Sequence, residues 1–323
     1  MAKQPDHPSQ PTPFRTTIGG QALIEGILMR GPEKQAIVVR KPDGDLVTKV
    51  EELHLIKERH PILGVPLIRG TVNFLDSMVK GVQALMFSAE FYPEDEEEAA
   101  AEPSKFEVWL EKKLGSEQFM KVLIALAVVL GIGFSVCLFI LLPAFLGGLL
   151  QKVISSYLVC NLLEGVLRIV IFLLYLILCS KQKDMKRVFA YHGAEHKTIF
   201  CYERGLELTV DHVRDMPRHH PRCGTSFLFV VLVLSILLFS VVQVESVLLQ
   251  MLLKLLLLPV LVSITYEINR FIGRHDNPVT RVLSAPGMWM QNFTTFEPDD
   301  SMLEVAIHAL KIVLPEKAGA DAW

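Results

Sequence analysis

The sequence predicts a mostly α-helical, polytopic membrane protein, with about four transmembrane helices in two hairpins and a small α+β cytoplasmic domain. Three observations carry that expectation. The 323 residues are 51% hydrophobic and 21% charged, with a mean hydropathy of +0.38. Val122–Leu150 runs for 29 residues without a formal charge, whereas a span needs about 20 apolar residues at 1.5 Å rise each. Lys and Arg gather on one side of the apolar segments. A wholly soluble enzyme, a disordered scaffold and a secreted disulfide domain are therefore excluded. The net charge of −3, with no Lys/Arg-rich run, argues against a nucleic-acid partner.

Four apolar segments are expected as spans: Val122–Leu150, bent at Pro143 or ended near Gly147-Gly148; Val153–Ser180; Thr225–Val244; and about Val247–Tyr266. The second accepts Glu164 and Arg168, and the fourth accepts Lys254 and Pro259. Only Gln151-Lys152 separates the first pair, and about Gln243–Ser246 the second, so each pair reads as a tight hairpin. The central segment carries Lys181, Lys183, Lys186, Arg187 and further cations, while the hairpin tips hold only Lys152. By the positive-inside rule that segment and both termini face the cytoplasm.

The chain then divides into a disordered tail (1–16), an N-terminal cytoplasmic α+β segment (17–92), an acidic linker (93–104), an interfacial helix with the first hairpin (105–180), a cytoplasmic His/Cys-rich loop (181–224), the second hairpin (225–268) and a C-terminal cytoplasmic segment (269–323). Ala36–Arg40 and Leu46–Val50 read as strands around the turn Pro42-Asp43-Gly44-Asp45. Val72, Leu75, Val79, Val82 and Met86 recur at helical spacing over about Thr71–Phe91. Ser284–Gln291 reads as a Pro-Gly turn, followed by a helix over Met302–Val313 capped by Asp300 or Ser301. The three pieces on the cytoplasmic side are expected to fold as one unit, since the N-terminal segment is too small to bury a core unaided.

The strongest chemical signal is Tyr191–Lys197, which contains His-x-x-Glu-His. On a helix, His192 and His196 are one turn apart and point the same way. Two imidazoles so placed can share a divalent ion, most readily zinc, with Glu195 beside them to accept a proton from water. Their alternative is a helix whose histidines pair with carboxylates or head groups. His220 and Cys223, held between Pro221 and Gly224, are candidates to complete the ligand shell, or with Arg222 to meet anionic lipid. Glu267 is a further candidate ligand, against a plain pair with Arg270. Glu164 and Arg168 have the spacing of a mutual ion pair, with a polar intramembrane cavity as the alternative. Gly19–Pro32 reads as a glycine-rich tight turn that leaves Glu25 and Arg30 unexplained, so both are candidate site residues.

The motifs Gly19–Pro32, Arg69-Gly70, Tyr191–Lys197, His220–Ser226, Tyr266–Arg274 and Pro286–Glu304 together resemble the YqhQ-like family of bacterial membrane proteins. The resemblance spans about Thr17 to Leu310 and draws Arg69 into the candidate site. It implies a multi-pass protein of the bacterial cytoplasmic membrane and a metal-dependent enzyme of unspecified reaction. Two functional classes follow. One is a metal-dependent, hydrolase-like membrane enzyme. The other is a non-catalytic scaffold or regulator that docks a cytoplasmic protein or anionic lipid. The sequence assigns no substrate and no oligomeric state.

Overall fold

The computed structural model describes residues 14–53, 60–92, 115–240, 246–317 and 319–323. Most of the expected tail, the acidic linker, the interfacial segment as far as Leu114 and the expected tip before Ser246 lie outside these residues. Two compact units divide the chain. One draws on Met1–Tyr92, Leu176–Val231 and Pro259–Trp323, the other on Pro93–Tyr175 and Leu232–Leu258.

The first unit is built on four strands, β1 (Gly19–Leu23), β2 (Gly26–Arg30), β3 (Lys34–Arg40) and β4 (Leu46–Glu52). They form an antiparallel meander in the order β1-β2-β3-β4. The turn expected between β3 and β4 has Gly44 at φ +92°, a conformation glycine adopts without a Cβ clash. The Gly19–Pro32 stretch, expected to be a tight turn, is instead the β1–β2 hairpin, pairing Gly20 with Met29 and Leu23 with Gly26. An added Cβ at Gly26 would lie 2.6 Å from the Val38 carbonyl oxygen, so that glycine serves close strand approach.

Both faces of this sheet are covered over β2 and β3, while β4 stays largely exposed. Ile27, Met29, Ala36 and Val38 point to one side, and Leu28, Ile37 and Val39 to the other, the period of two that a pleated strand imposes. Helix α1 (Arg69–Ala89) packs Ala84 and Phe87 on the second side. Its extent matches the helical spacing, but its buried residues are the small Gly70, Gly81, Ala84 and Ser88, while Leu75 and Val79 are exposed. Small residues allow the helix to close on the strands, which a stripe of branched side chains would hold off.

Further along the chain, α2 (Ser116–Val136) passes through a π turn at Cys137–Leu141 into α3 (Leu142–Leu150). This is the form the expected interruption takes: Pro143 offers no N–H and its ring crowds the preceding turn, which widens. Then come α4 (Tyr157–Lys181), α5 (Lys183–Glu203) and the single turn α6 (Val210–Arg214). The last four helices are α7 (Gly224–Ser240), α8 (Val247–Arg274), α9 (Pro278–Thr294) and α10 (Asp300–Val313). Among the described residues three helices are long and apolar enough to cross a membrane, Val122–Leu150, Tyr157–Lys181 and Leu248–Arg274; Gly224–Phe239 is apolar but shorter.

The segment expected as a loop is thus largely helical. Tyr191, Ala194 and Ile199 of α5 and Leu303, Ala306 and Leu310 of α10 fill the core against the first face of the sheet. The cap of α10 is Asp299, which accepts from the Met302 N–H at 3.1 Å, rather than Asp300 or Ser301. Pro286-Gly287, expected as a turn, lies inside α9. An added Cβ at Gly287 would overlap the Cα of Ser226, so the glycine allows close helix packing instead of a reversal.

In the second unit, Glu164 and Arg168 of α4 pair at 2.8 Å. Lys254 of α8 closes on the same carboxylate at 2.5 and 2.6 Å. Arg168 also donates to Ser235 at 2.8 Å, and both cations lie over the ring of Phe239. All three charged residues are buried.

Candidate metal centre

The site begins with the local chemistry of α5. Its first turn carries Asp184, favourable at the positive end of the helix dipole. Two small residues, Gly193 and Ala194, lie between the histidines. An added Cβ at Gly193 would overlap the Phe296 carbonyl oxygen, and the Phe296 N–H donates to the Phe189 carbonyl at 2.8 Å. The chain leaving α9 therefore runs hard against α5. That contact brings the Thr294 carbonyl to His192.

His192 and His196 turn their rings toward each other, with centroids 4.4 Å apart. The Nδ1 of His192 lies 2.8 Å from the Thr294 carbonyl oxygen, and the Nδ1 of His196 lies 2.6 Å from that of Arg218. A carbonyl only accepts, so each Nδ1 carries the proton and each Nε2 keeps its lone pair for the site. This is the outer support that metal-binding histidines use. The Nε2 of His192 is 3.1 Å from the Cys223 sulfur. Ligand atoms of His192, His196 and Cys223 all fall within 4.8 Å of one another.

Glu195 is the fourth member. Its Oε2 is 3.9 Å from the Nε2 of His192 and 3.8 Å from that of His196. Burial pushes its carboxyl above the usual carboxylate range, against the pull of His192 and a hydrogen bond from the Gly20 backbone. Gly20 itself has no room for a side chain, since an added Cβ would sit 2.9 Å from Glu195 Cγ. The β1–β2 hairpin thus forms one wall of the site.

Cys223 is positioned by a device that residue types alone did not reveal. Gln291, fully buried on α9, accepts from the His220 N–H at 2.7 Å and donates to the His220 carbonyl at 2.8 Å. This two-point clamp fixes the turn that ends at Cys223, whose sulfur also receives the Thr225 hydroxyl at 3.4 Å. The only advance sign was the position of Gln291 within the Pro286–Glu304 motif.

Other candidates lie elsewhere. His220 packs its ring 5.5 Å from that of His196, but its Nε2 faces Glu203 at 3.7 Å. Burial lowers the His220 pKa to about 4. Arg222 also binds Glu203; burial raises the Glu203 carboxyl, yet His220 and Arg222 outweigh it and hold that group below its usual value. Glu267 is held by Arg69 at 2.5 and 2.7 Å, so neither joins the His/His/Cys group, and the partner is not the neighbouring Arg270. Glu25 binds Arg187 and accepts from Tyr191 at 3.2 Å, while Arg30 pairs with Asp76 at 2.9 Å.

The group opens onto a cavity of about 660 Å³, walled by His192, Glu195, His196 and Cys223 together with apolar Leu176 and Phe227. A second cavity, of about 680 Å³, shares Gly19, Gly20, Gln21 and Trp323 with the first. Trp323 lies against Gly273, whose added Cβ would be 3.1 Å from the indole.

Fold and site define a class: a mostly helical protein with membrane-length apolar helices, whose four-stranded unit carries a His/His/Cys group able to hold a metal ion. The chain belongs to the family described as protein of unknown function DUF1385, which it matches over residues 65–316. It is 32% identical over 302 residues, 92% of each chain, to the uncharacterized protein YqhQ of Bacillus subtilis strain 168. No solved structure matches it.

Proposed function

We propose that this protein is an integral membrane enzyme of the metal-dependent hydrolase class, with its site at the cytoplasmic membrane face. One observation carries the reading: three ligand atoms converge within 4.8 Å while both histidine Nδ1 atoms are tied to backbone carbonyls. Two neutral imidazoles and a thiolate suit zinc better than calcium or magnesium, which favour oxygen ligands. A zinc ion bound by His192, His196 and Cys223 would supply Lewis acidity and acidify water near neutral pH. Glu195, close to both imidazoles yet outside the ligand group, would accept the proton as water attacks and return it to the leaving group. The Gln291 clamp keeps Cys223 in register, and Gly20 and Gly193 keep the walls close.

Membrane residence is supported by the apolar side chains on the first long helix, where Val129, Leu130 and Phe134 are more than 60% exposed. Such a surface is stable in lipid and costly in water. The basic stretch 181–224 orients this reading with the site and both termini cytoplasmic; reporter fusions at Lys152 and Arg204 test it. A periplasmic signal at Arg204 would reverse the orientation.

A three-ligand group facing a cavity favours catalysis over a closed structural site. Elemental analysis of chelator-free protein should find about one ion per chain, lost in His192→Ala. Glu195→Gln should keep the ion and abolish hydrolysis across a panel of ester, amide and phosphoester substrates. Wild type without metal, or stoichiometric metal in the His192→Ala, His196→Ala double variant, would overturn the reading. Full metal with no hydrolysis in wild type would favour the scaffold.

A further inference from the structure

The second cavity differs in chemistry from the one holding the histidines. Arg30, Lys80, Arg270 and Arg274 line it, and no Asp or Glu is among its lining residues. Two of these cations already share a counter-charge, since Asp76 is held by Arg30 at 2.9 Å and by Lys80 at 3.0 Å. Arg270 and Arg274 stand one turn apart at the end of α8; neither makes an ion pair among the described residues, and Glu267, which Arg270 influences from a distance, is held by Arg69. The Nε of Arg270 is buried without a hydrogen-bond partner. Arg270 as a whole is part-exposed, so its guanidinium can turn its open donors to an anion that enters the cavity. Ser77, Asn73 and Tyr266 add neutral donors to the same wall.

We infer that this cavity receives a phosphate group of the substrate, and that the substrate is an amphiphile whose apolar part and scissile bond lie in the adjoining cavity. Phosphate fits because it offers several acceptor oxygens and at least one full negative charge to paired guanidiniums. The two cavities adjoin along Thr17, Gly19, Gly20, Gln21 and Trp323, so a head group in one lies beside the apolar wall of the other. Leu176 and Phe227 supply the apolar surface beside the metal ligands. Arg270 and Arg274 end one of the membrane-length helices, the level at which phosphate head groups sit if that helix spans a bilayer. The identification of the substrate class rests on the hydrolase reading; the anion site does not.

Binding by the full-length protein in a neutral detergent tests the inference with two probes, dioleoylphosphatidylglycerol by native mass spectrometry and glycerol 1-phosphate by calorimetry. Dioleoylphosphatidylcholine serves as the control that lacks net charge. Retention of the anionic lipid alone identifies a lipid head group as the source, and binding of glycerol phosphate identifies a soluble phosphate. In either case Arg270→Gln should weaken binding about tenfold or more. Arg274→Glu, at an exposed position where folding is not at stake, should weaken it similarly. The ion content of both variants should stay at the wild-type level. Failure of wild type to bind either probe, or equal binding by wild type and both variants, would overturn the inference while leaving the metal reading intact. Phosphate binding by wild type that elemental analysis finds free of metal would leave the anion site standing and remove the hydrolase.

Discussion

Two clusters of buried charge in this chain follow opposite rules. In the second unit, Glu164 commits its carboxylate to Arg168 and Lys254 at 2.5–2.8 Å. In the first, Glu195 is just as buried, yet its nearest basic groups are imidazole nitrogens at 3.8 and 3.9 Å. The first arrangement is closed. Its charges neutralise one another, although the Arg168 Nε is left without a hydrogen-bond partner, and breaking it would strand a charge. The second is open, with its proton-bearing nitrogens directed outward to carbonyls and its lone pairs directed inward. A closed network holds helices in place, whereas an open one is ready for a ligand from outside.

The strongest way to break that contrast is Glu164→Ala. It should cost about 3–5 kcal/mol, because two buried cations lose their counter-charge; unfolding in detergent reads it, and ion content should not change in the protein that remains folded. Gly193→Ala should cost about 1–3 kcal/mol through overpacking against Phe296, and it should also lower ion content by displacing Thr294. A variant with unchanged stability would show that the chain leaving α9 yields easily. Asp299→Ala, which removes the cap of α10, should cost about 1 kcal/mol and leave the ion in place. The smallest effect is expected for Glu267→Ala. This partly exposed pair with Arg69 is worth about 0–1 kcal/mol, and ion content should stay at wild type. A loss of ion there would return Glu267 to the ligand set.

The sequence disclosed those features whose partners lie close along the chain. The His192/His196 pair and the Glu164/Arg168 pair are each one helical turn apart, so spacing alone announced them. The turn at Gly44 declared itself in the same way. Lys254 was legible as a charge in an apolar run, but its partner lies 90 residues earlier. The supports of the histidines were invisible for another reason: Thr294 and Arg218 act through backbone carbonyls, which every residue carries. β2 was missed because it is buried on both faces, so the alternation that marks a half-exposed strand never appears, and β1 because its two glycines and mostly part-buried residues carry no strand pattern of their own. Pro286-Gly287 misled because a pair that usually marks a reversal here lies within α9, where the glycine makes room for Ser226. In α1 the spacing located the helix and misplaced its buried face.

Trp323 borders both cavities and rests on Gly273. Indole fluorescence shifts to shorter wavelength as water leaves its surroundings, which makes this ring an optical reporter built into the cavity wall. The chain has only three tryptophans, so changing Trp109 and Trp289 to Phe leaves a single emitter. Its spectrum would register the arrival of any molecule in either cavity, and iodide quenching would count the fraction still open. Libraries of compounds can thus be screened by colour alone, before the reaction itself is known.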